Sequence, residues 1–157
     1  MESKITFREI KTGEEAKACQ LVMDSFSEFV APDYSEEGVK EFSKYIDSLL
    51  MQKRLANNHV VVVALDEDVL VGMIEVRNYN HISLLFVKKK YQHHGIATRL
   101  LELAVNKCRK HNANTELIEV NSSPFAVSIY EKLGFVKISD EQLKNGIRFT
   151  PMVKRLS

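Results

Sequence analysis

The apolar run Ile82-Ser83-Leu84-Leu85-Phe86-Val87 passes through one short glycine-containing loop into a stretch of helical spacing, Ile96 to His111. No other feature constrains the fold as strongly. The loop Tyr91-Gln92-His93-His94-Gly95 must carry the end of a strand into the start of a helix. Such a start leaves several backbone N–H groups without an intrahelical partner. The helix dipole adds partial positive charge there, so the site favours an anion, phosphate above all. Gly95 and Ala97 are small enough to let a diphosphate reach the backbone. The spacing Gln92-x-x-Gly95-x-Ala97 differs from the dinucleotide fingerprint and from the Walker A loop, which needs Gly-Lys-Ser/Thr. On this segment alone, an ordinary strand-to-helix turn remains an equal reading.

The rest of the chain reads as alternating strands and helices. Ile5 to Glu9 predicts a strand, and Thr12 with Glu15 resembles a capping box. Cys19, Val22, Met23, Phe26 and Val30 recur at helical spacing until Pro32. A second helix is expected from about Ser35 to Asn57, with Val39, Phe42, Ile46, Leu49 and Leu50 on one face. His59 to Leu65 and Val69 to Arg77 read as a hairpin, and His81 to Val87 as the next strand. Ile96, Leu100, Ala104 and Cys108 form one stripe of an amphipathic helix, with Ala97, Leu101 and Val105 beside it. Glu116 to Val120 predicts a fifth strand. A helix follows, with Ser123 as N-cap and Pro124 at its first position, and stops at Gly134. Phe135 to Ile138 and Gly146 to Lys154 are the last two expected strands.

A chain of 157 residues that is 45% hydrophobic suits one globular domain over residues 1–157. With 22 Lys and Arg against 21 Asp and Glu, the net charge of +1 gives no support to nucleic-acid or membrane partners. No apolar run approaches a membrane span, and the N-terminus lacks a signal-peptide pattern. Cys19 and Cys108 read as buried thiols, without metal-ligand or Cys-x-x-Cys spacing. These features predict a reduced, cytoplasmic protein.

The loop is joined by a second block, Glu119-Val120-Asn121-Ser122-Ser123-Pro124 followed by Phe125 to Phe135, which ends in Tyr130-Glu131-Lys132-Leu133-Gly134-Phe135. Together, in this order and at this separation, the two blocks resemble the GCN5-related N-acetyltransferase (GNAT) family. The first block resembles its coenzyme A loop, Arg/Gln-x-x-Gly-x-Gly/Ala. The resemblance runs from about Val60 to the C-terminus; before Val60 only the pattern of elements matches. It implies an α+β (mixed α/β) fold, with a central mixed, mostly antiparallel sheet splayed between strands 4 and 5 and about four flanking helices. It also implies acetyl-CoA as cosubstrate, with no metal.

By this resemblance, main-chain N–H groups around Gln92, His93, His94, Gly95, Ile96, Ala97 and Thr98 hold the coenzyme diphosphate. Gln92 stands where the family often has arginine, so it offers hydrogen bonds without charge. Lys88, Lys89 and Lys90 supply positive charge nearby, although a solvated lysine run explains them equally well. The backbone of Leu85, Phe86 and Val87 pairs with the pantetheine amides, and a main-chain N–H there stabilises the oxyanion. Asn121 matches a position that hydrogen-bonds the pantetheine arm. Tyr130 stands where many members hold the general acid that protonates the leaving thiolate. The alternative for Tyr130 is a half-buried helix tyrosine with its hydroxyl in water.

The general base is open among Glu75, Glu119, His81 and water alone. Strand alternation puts Glu75 on the face of Met73 and Arg77, where it is solvated or partly desolvated; it is the favoured candidate. His93-His94 lack partners at metal-ligand spacing. The implied acceptor is a primary amine, on a small molecule or a protein. Asp33, Glu36, Glu37 and Glu41 point toward a cationic one, though a solvated helix face explains the same residues. A non-catalytic acyl-CoA sensor on the same fold is the rival reading. Homodimers occur in the family, and no sequence feature demands one.

Overall fold

The computed structural model describes residues 4–157. Five strands run β1 (Ile5–Glu9), β2 (His59–Asp66), β3 (Val69–Arg77), β4 (His81–Val87) and β5 (Leu117–Ser122). Three short or late ones follow: β6 (Val136–Lys137), β7 (Gln142–Lys144) and β8 (Ile147–Arg155). The helices are α1 (Glu15–Phe29), α2 (Glu36–Tyr45), α3 (Ser48–Leu55), α4 (Ile96–His111) and α5 (Val127–Lys132). The sheet order is β1-β2-β3-β4-β5-β8-β6, with β7 paired to β8. Every pairing is antiparallel except β4 with β5.

The central strands are apolar along their whole length because helices cover both faces. Val61, Val63, Leu65, Met73 and Leu84 point to a core with Ala18, Leu21 and Val22 of α1 and Met51 of α3. Val60, Val62, Ala64, Ile74 and Val76 point the other way, onto Ile96, Leu100, Leu101, Ala104 and Cys108 of α4. Each fully buried side chain of this kind stabilises the fold by about 1.5–3 kcal/mol before entropy is counted. The β3–β4 connection is a type I′ turn. Asn78 and Tyr79 take φ of 53° and 59°, and the Asn80 N–H donates to Arg77 O at 3.1 Å.

The β4–β5 pair creates the site. Their register holds only at His81↔Glu119 and Ile82↔Val120, closed by the Glu119 N–H donating to Asn80 O at 2.8 Å. Beyond Ile82 the two strands part, so the sheet is splayed there as the resemblance implied. At that point β4 carries a bulge. Glu75 is opposite Leu84 and Val76 opposite Ile82, leaving Ser83 as the extra residue. A bulge twists and bends its strand, which helps to aim β4 away from β5.

Several local expectations need correction. Thr12 does not cap α1: the helix starts at Glu15 with Glu14 in the cap position and no side-chain cap bond. Glu15 Oε1 instead accepts from the Gly13 N–H at 2.9 Å. The long second helix is two helices. Asp47 accepts from the Leu49 and Leu50 N–H groups and restarts the chain as α3, which leaves Leu49 and Leu50 exposed rather than on a buried face. The described residues hold five α-helices, which agrees with the expected mixed sheet flanked by about four. Residues 124–126 form a turn, so α5 begins three positions after Pro124. The β7–β8 hairpin was not anticipated, and Asn121 lies within β5 rather than past its end.

Candidate active site

A cavity of about 300 Å³ occupies the splay. One wall is β4, through Ser83, Leu85, Phe86 and Val87. The facing wall is Val120, Asn121, Ser123, Phe125 and Ala126, then Ile129 and Tyr130 of α5 and Leu133 just after it. One end is the loop and helix start, Gln92, His93, Gly95, Ile96, Ala97 and Thr98. The other is an aromatic lobe from the end of α1 to α2: Phe29, Val30, Tyr34 and Phe42.

The loop is pinned from both sides. Tyr91 Oη donates to Asp66 Oδ2 at 2.6 Å, and Gln92 Nε2 donates to Val87 O at 3.0 Å. Gln92 thus ties the loop to the end of β4, a role the sequence did not suggest. Gly95 is the N-cap of α4 at φ 79°, with no side-chain cap bond. The first backbone bond of the helix is the Arg99 N–H to Gly95 O at 3.1 Å. The N–H groups of Ile96, Ala97 and Thr98 precede it and are therefore available. A Cβ built on Gly95 would meet nothing within 4 Å. The missing side chain leaves open space beside the helix start rather than relieving a contact inside the chain. That geometry suits a diphosphate.

Tyr130 is buried against Phe135, ring centroids 5.3 Å apart and edge-on, and it lines the cavity. Burial pushes its phenol pKa upward, so the hydroxyl stays protonated at neutral pH. Opposite it, past Ile82, the β4 edge has no strand partner among the described residues, so its outward N–H and C=O groups face the cavity.

Eleven expected site residues come together here: Leu85, Phe86, Val87, Gln92, His93, Gly95, Ile96, Ala97, Thr98, Asn121 and Tyr130. His94, Glu75, Glu119 and His81 do not line the cavity. Glu75 is fully buried among the α1–α3 contacts. Its Oε2 accepts from Arg54 Nε at 2.7 Å and meets His59 Nδ1 at 2.9 Å, while Oε1 accepts from Arg54 Nη2 at 3.1 Å. Its carboxylate is held by a bidentate guanidinium. His81 and Glu119 meet at the closed end of the β4–β5 pair, Nδ1 to Oε2 at 3.7 Å. Burial, helped by Arg77, lowers the His81 pKa, which keeps that imidazole neutral. Glu119 lies mid-strand and half exposed, not at the strand end.

Among the described residues, no Asp or Glu lines the cavity. Asp33, Glu36, Glu37 and Glu41, which suggested a cationic acceptor, all lie outside it. The residues missed by sequence reasoning are Ser83 at the bulge and the aromatic lobe. The density of rings between Phe26 and Phe42 was a visible signal for the lobe. Among the described residues, no group of three or more His, Cys, Asp or Glu side chains could hold a metal ion. No helix there is long and apolar enough to cross a membrane.

The sequence model of the acetyltransferase (GNAT) domain covers residues 30–156. The chain belongs to the GNAT acetyltransferase family. It is 31% identical to N-alpha-acetyltransferase 30 of Saccharomyces cerevisiae over 64 residues, which is 40% of this chain and 36% of that protein. The chain thus spans about a third of that relative's length. Its fold superposes on a GCN5-related N-acetyltransferase from Rhodopseudomonas palustris with a TM-score of 0.82 at 22% identity, covering 99% of this chain and 98% of the other. It also superposes on the PaiA N-acetyltransferase of Thermoplasma acidophilum in complex with coenzyme A. There the TM-score is 0.80 at 19% identity, over 98% and 99% of the two chains. At such identities the two structures establish the GNAT fold.

Proposed function

We propose that this GNAT protein is an acetyl-CoA-dependent N-acetyltransferase that moves an acetyl group to a primary amine by direct attack in a ternary complex. One observation carries the reading: a single cavity joins the open helix start at Gly95 to the buried, protonated Tyr130. The N–H groups of Ile96, Ala97 and Thr98 would hold the diphosphate, and the β4 edge and Asn121 the pantetheine arm. Bound acetyl-CoA supplies an acyl thioester, whose C–S bond breaks as the C–N bond to the amine forms. A β4 N–H polarises the acyl oxygen. Tyr130 Oη gives its proton to the departing sulfur and regains one from solvent. Among the described residues no carboxylate lines the cavity, so water takes one proton from the ammonium before attack and a second from the nitrogen once the C–N bond has formed. Glu75 then acts as a positioning residue, fixing α3 and the bulge: its carbonyl oxygen accepts from Ser83 Oγ at 3.4 Å.

The test is amine-dependent thiol release over a panel of primary amines. Release with at least one acceptor supports the enzyme. Acetyl-CoA binding without release for any amine would favour the sensor reading, and absence of binding would end both.

A further inference from the structure

The acceptor end of the cavity has two properties that together define what can enter it. The first is its lining. Phe29, Val30, Tyr34, Phe42, Phe86 and Phe125 supply apolar and aromatic surface. Phe29 and Phe125 stack across from each other at 5.0 Å, one from the end of α1 and one from the β5–α5 turn. No acidic side chain among the described residues lines this lobe, so a second ammonium there would exchange its hydration for ring faces alone, whereas an apolar body gains from burial.

The second property is a bridge. Helix α2 spans the two halves of the splayed sheet. On one side Phe42 packs edge-on against Phe86 of β4, 6.3 Å between centroids. One turn earlier, Gly38 abuts the β7–β8 turn so closely that a Cβ on it would collide with Gly146 O. The Ser35 N–H donates to the same Gly146 oxygen at 3.4 Å. Arg148 Nη1 adds an ion pair with Asp33 Oδ1 at 3.7 Å. Three contacts from residues 33–38 therefore fasten this segment to the start of β8. These contacts tie the segment that carries Tyr34 of the lobe to the far half of the splayed sheet.

Resting on the acetyltransferase reading above, we infer that the acceptor is a terminal primary amine on an apolar, ring-sized carrier, entering end-on beneath α2. Two sources carry that chemistry: a small arylalkylamine and the α-amino group of a peptide that begins with an apolar residue. Both present one ammonium and an apolar body. A polyamine or an internal lysine would instead set a second charge or flanking peptide groups against the same rings.

The experiment measures acetyl-CoA binding by calorimetry and then thiol release with four acceptors. These are 2-phenylethylamine, a peptide with a free N-terminal phenylalanine, spermidine, and an N-terminally blocked peptide containing lysine. One of the first two is expected to exceed both of the others by about tenfold or more in kcat/KM. Which one leads tells the small amine from the peptide terminus. Phe29→Glu is expected to narrow that ratio at unchanged acetyl-CoA affinity, because it sets a carboxylate in the lobe away from the helix start. Preference for spermidine or the blocked peptide overturns the inference. So does silence from all four acceptors in a protein that binds acetyl-CoA. Failure to bind acetyl-CoA would instead remove the acetyltransferase reading beneath it.

Discussion

Replacing Gly95 by alanine separates two reasons for a glycine at that position. The residue caps α4 at φ 79°, a left-handed conformation that costs an L-residue about 1–2 kcal/mol. Alanine recovers about 0.4–1 kcal/mol by restricting the unfolded chain. Since the new Cβ meets nothing within 4 Å, packing adds no further penalty. The net loss of stability is about 1 kcal/mol, a fall of roughly 2–4 °C in Tm for a chain of this size. Cofactor affinity is expected to suffer more. A methyl group in the open space beside the helix start is expected to crowd a diphosphate held by the Ile96, Ala97 and Thr98 N–H groups. Losing one charge-assisted hydrogen bond costs about 1.5–3 kcal/mol, or about ten- to a hundredfold in Kd. Calorimetric titration with coenzyme A and a thermal melt on the same sample measure both effects. A lowered Tm with Kd within about twofold of the parent protein would mean that the glycine serves the turn alone, and the reasoning would fail.

Three further outcomes follow from particular contacts. Tyr130→Phe is expected to lower kcat by about a hundredfold or more, with little change in coenzyme A affinity or Tm, as steady-state kinetics and calorimetry would show. Glu75→Ala should destabilise the fold by about 3–5 kcal/mol, because it strands the Arg54 guanidinium and His59 beside a buried gap; urea unfolding reads this. Glu14 is held at a pKa of about 2, against an ordinary 4.5, chiefly by hydrogen bonds from the Arg8 guanidinium. The folded pKa is the lower one, so the contribution is complete above pH 4.5 and is lost as pH falls from there through about 2. The pair is partly exposed, which reduces its worth to about 1 kcal/mol. Unfolding free energies of Glu14→Gln and the parent at about pH 3 and pH 6 should therefore differ by less at the lower pH.

The elements legible in the sequence are those whose pattern is local. The apolar run of β2 needs burial on both faces, and Gly95 before the stripe of α4 marks a helix start. The less legible features depend on partners far along the chain. Glu75 looked like a free carboxylate because Arg54 and His59, which hold it, come from α3 and the start of β2. The break between α2 and α3 was hidden because the apolar period runs on through Ile46, Leu49 and Leu50 while Asp47 caps a new helix. Ser83 as a bulge is a matter of register between β3 and β4, which no single strand displays. The aromatic lobe emerges only when the turn at Ala31–Asp33 folds Tyr34 and Phe42 back over β4.

The most direct test of the central claim is amide hydrogen exchange with and without coenzyme A. If the ligand lies in the splay, added protection should concentrate on the amides of Ser83 to Val87 and of Ile96 to Thr98. Protection confined elsewhere, or unchanged exchange at a saturating concentration, would contradict the placement of the cofactor between β4 and β5.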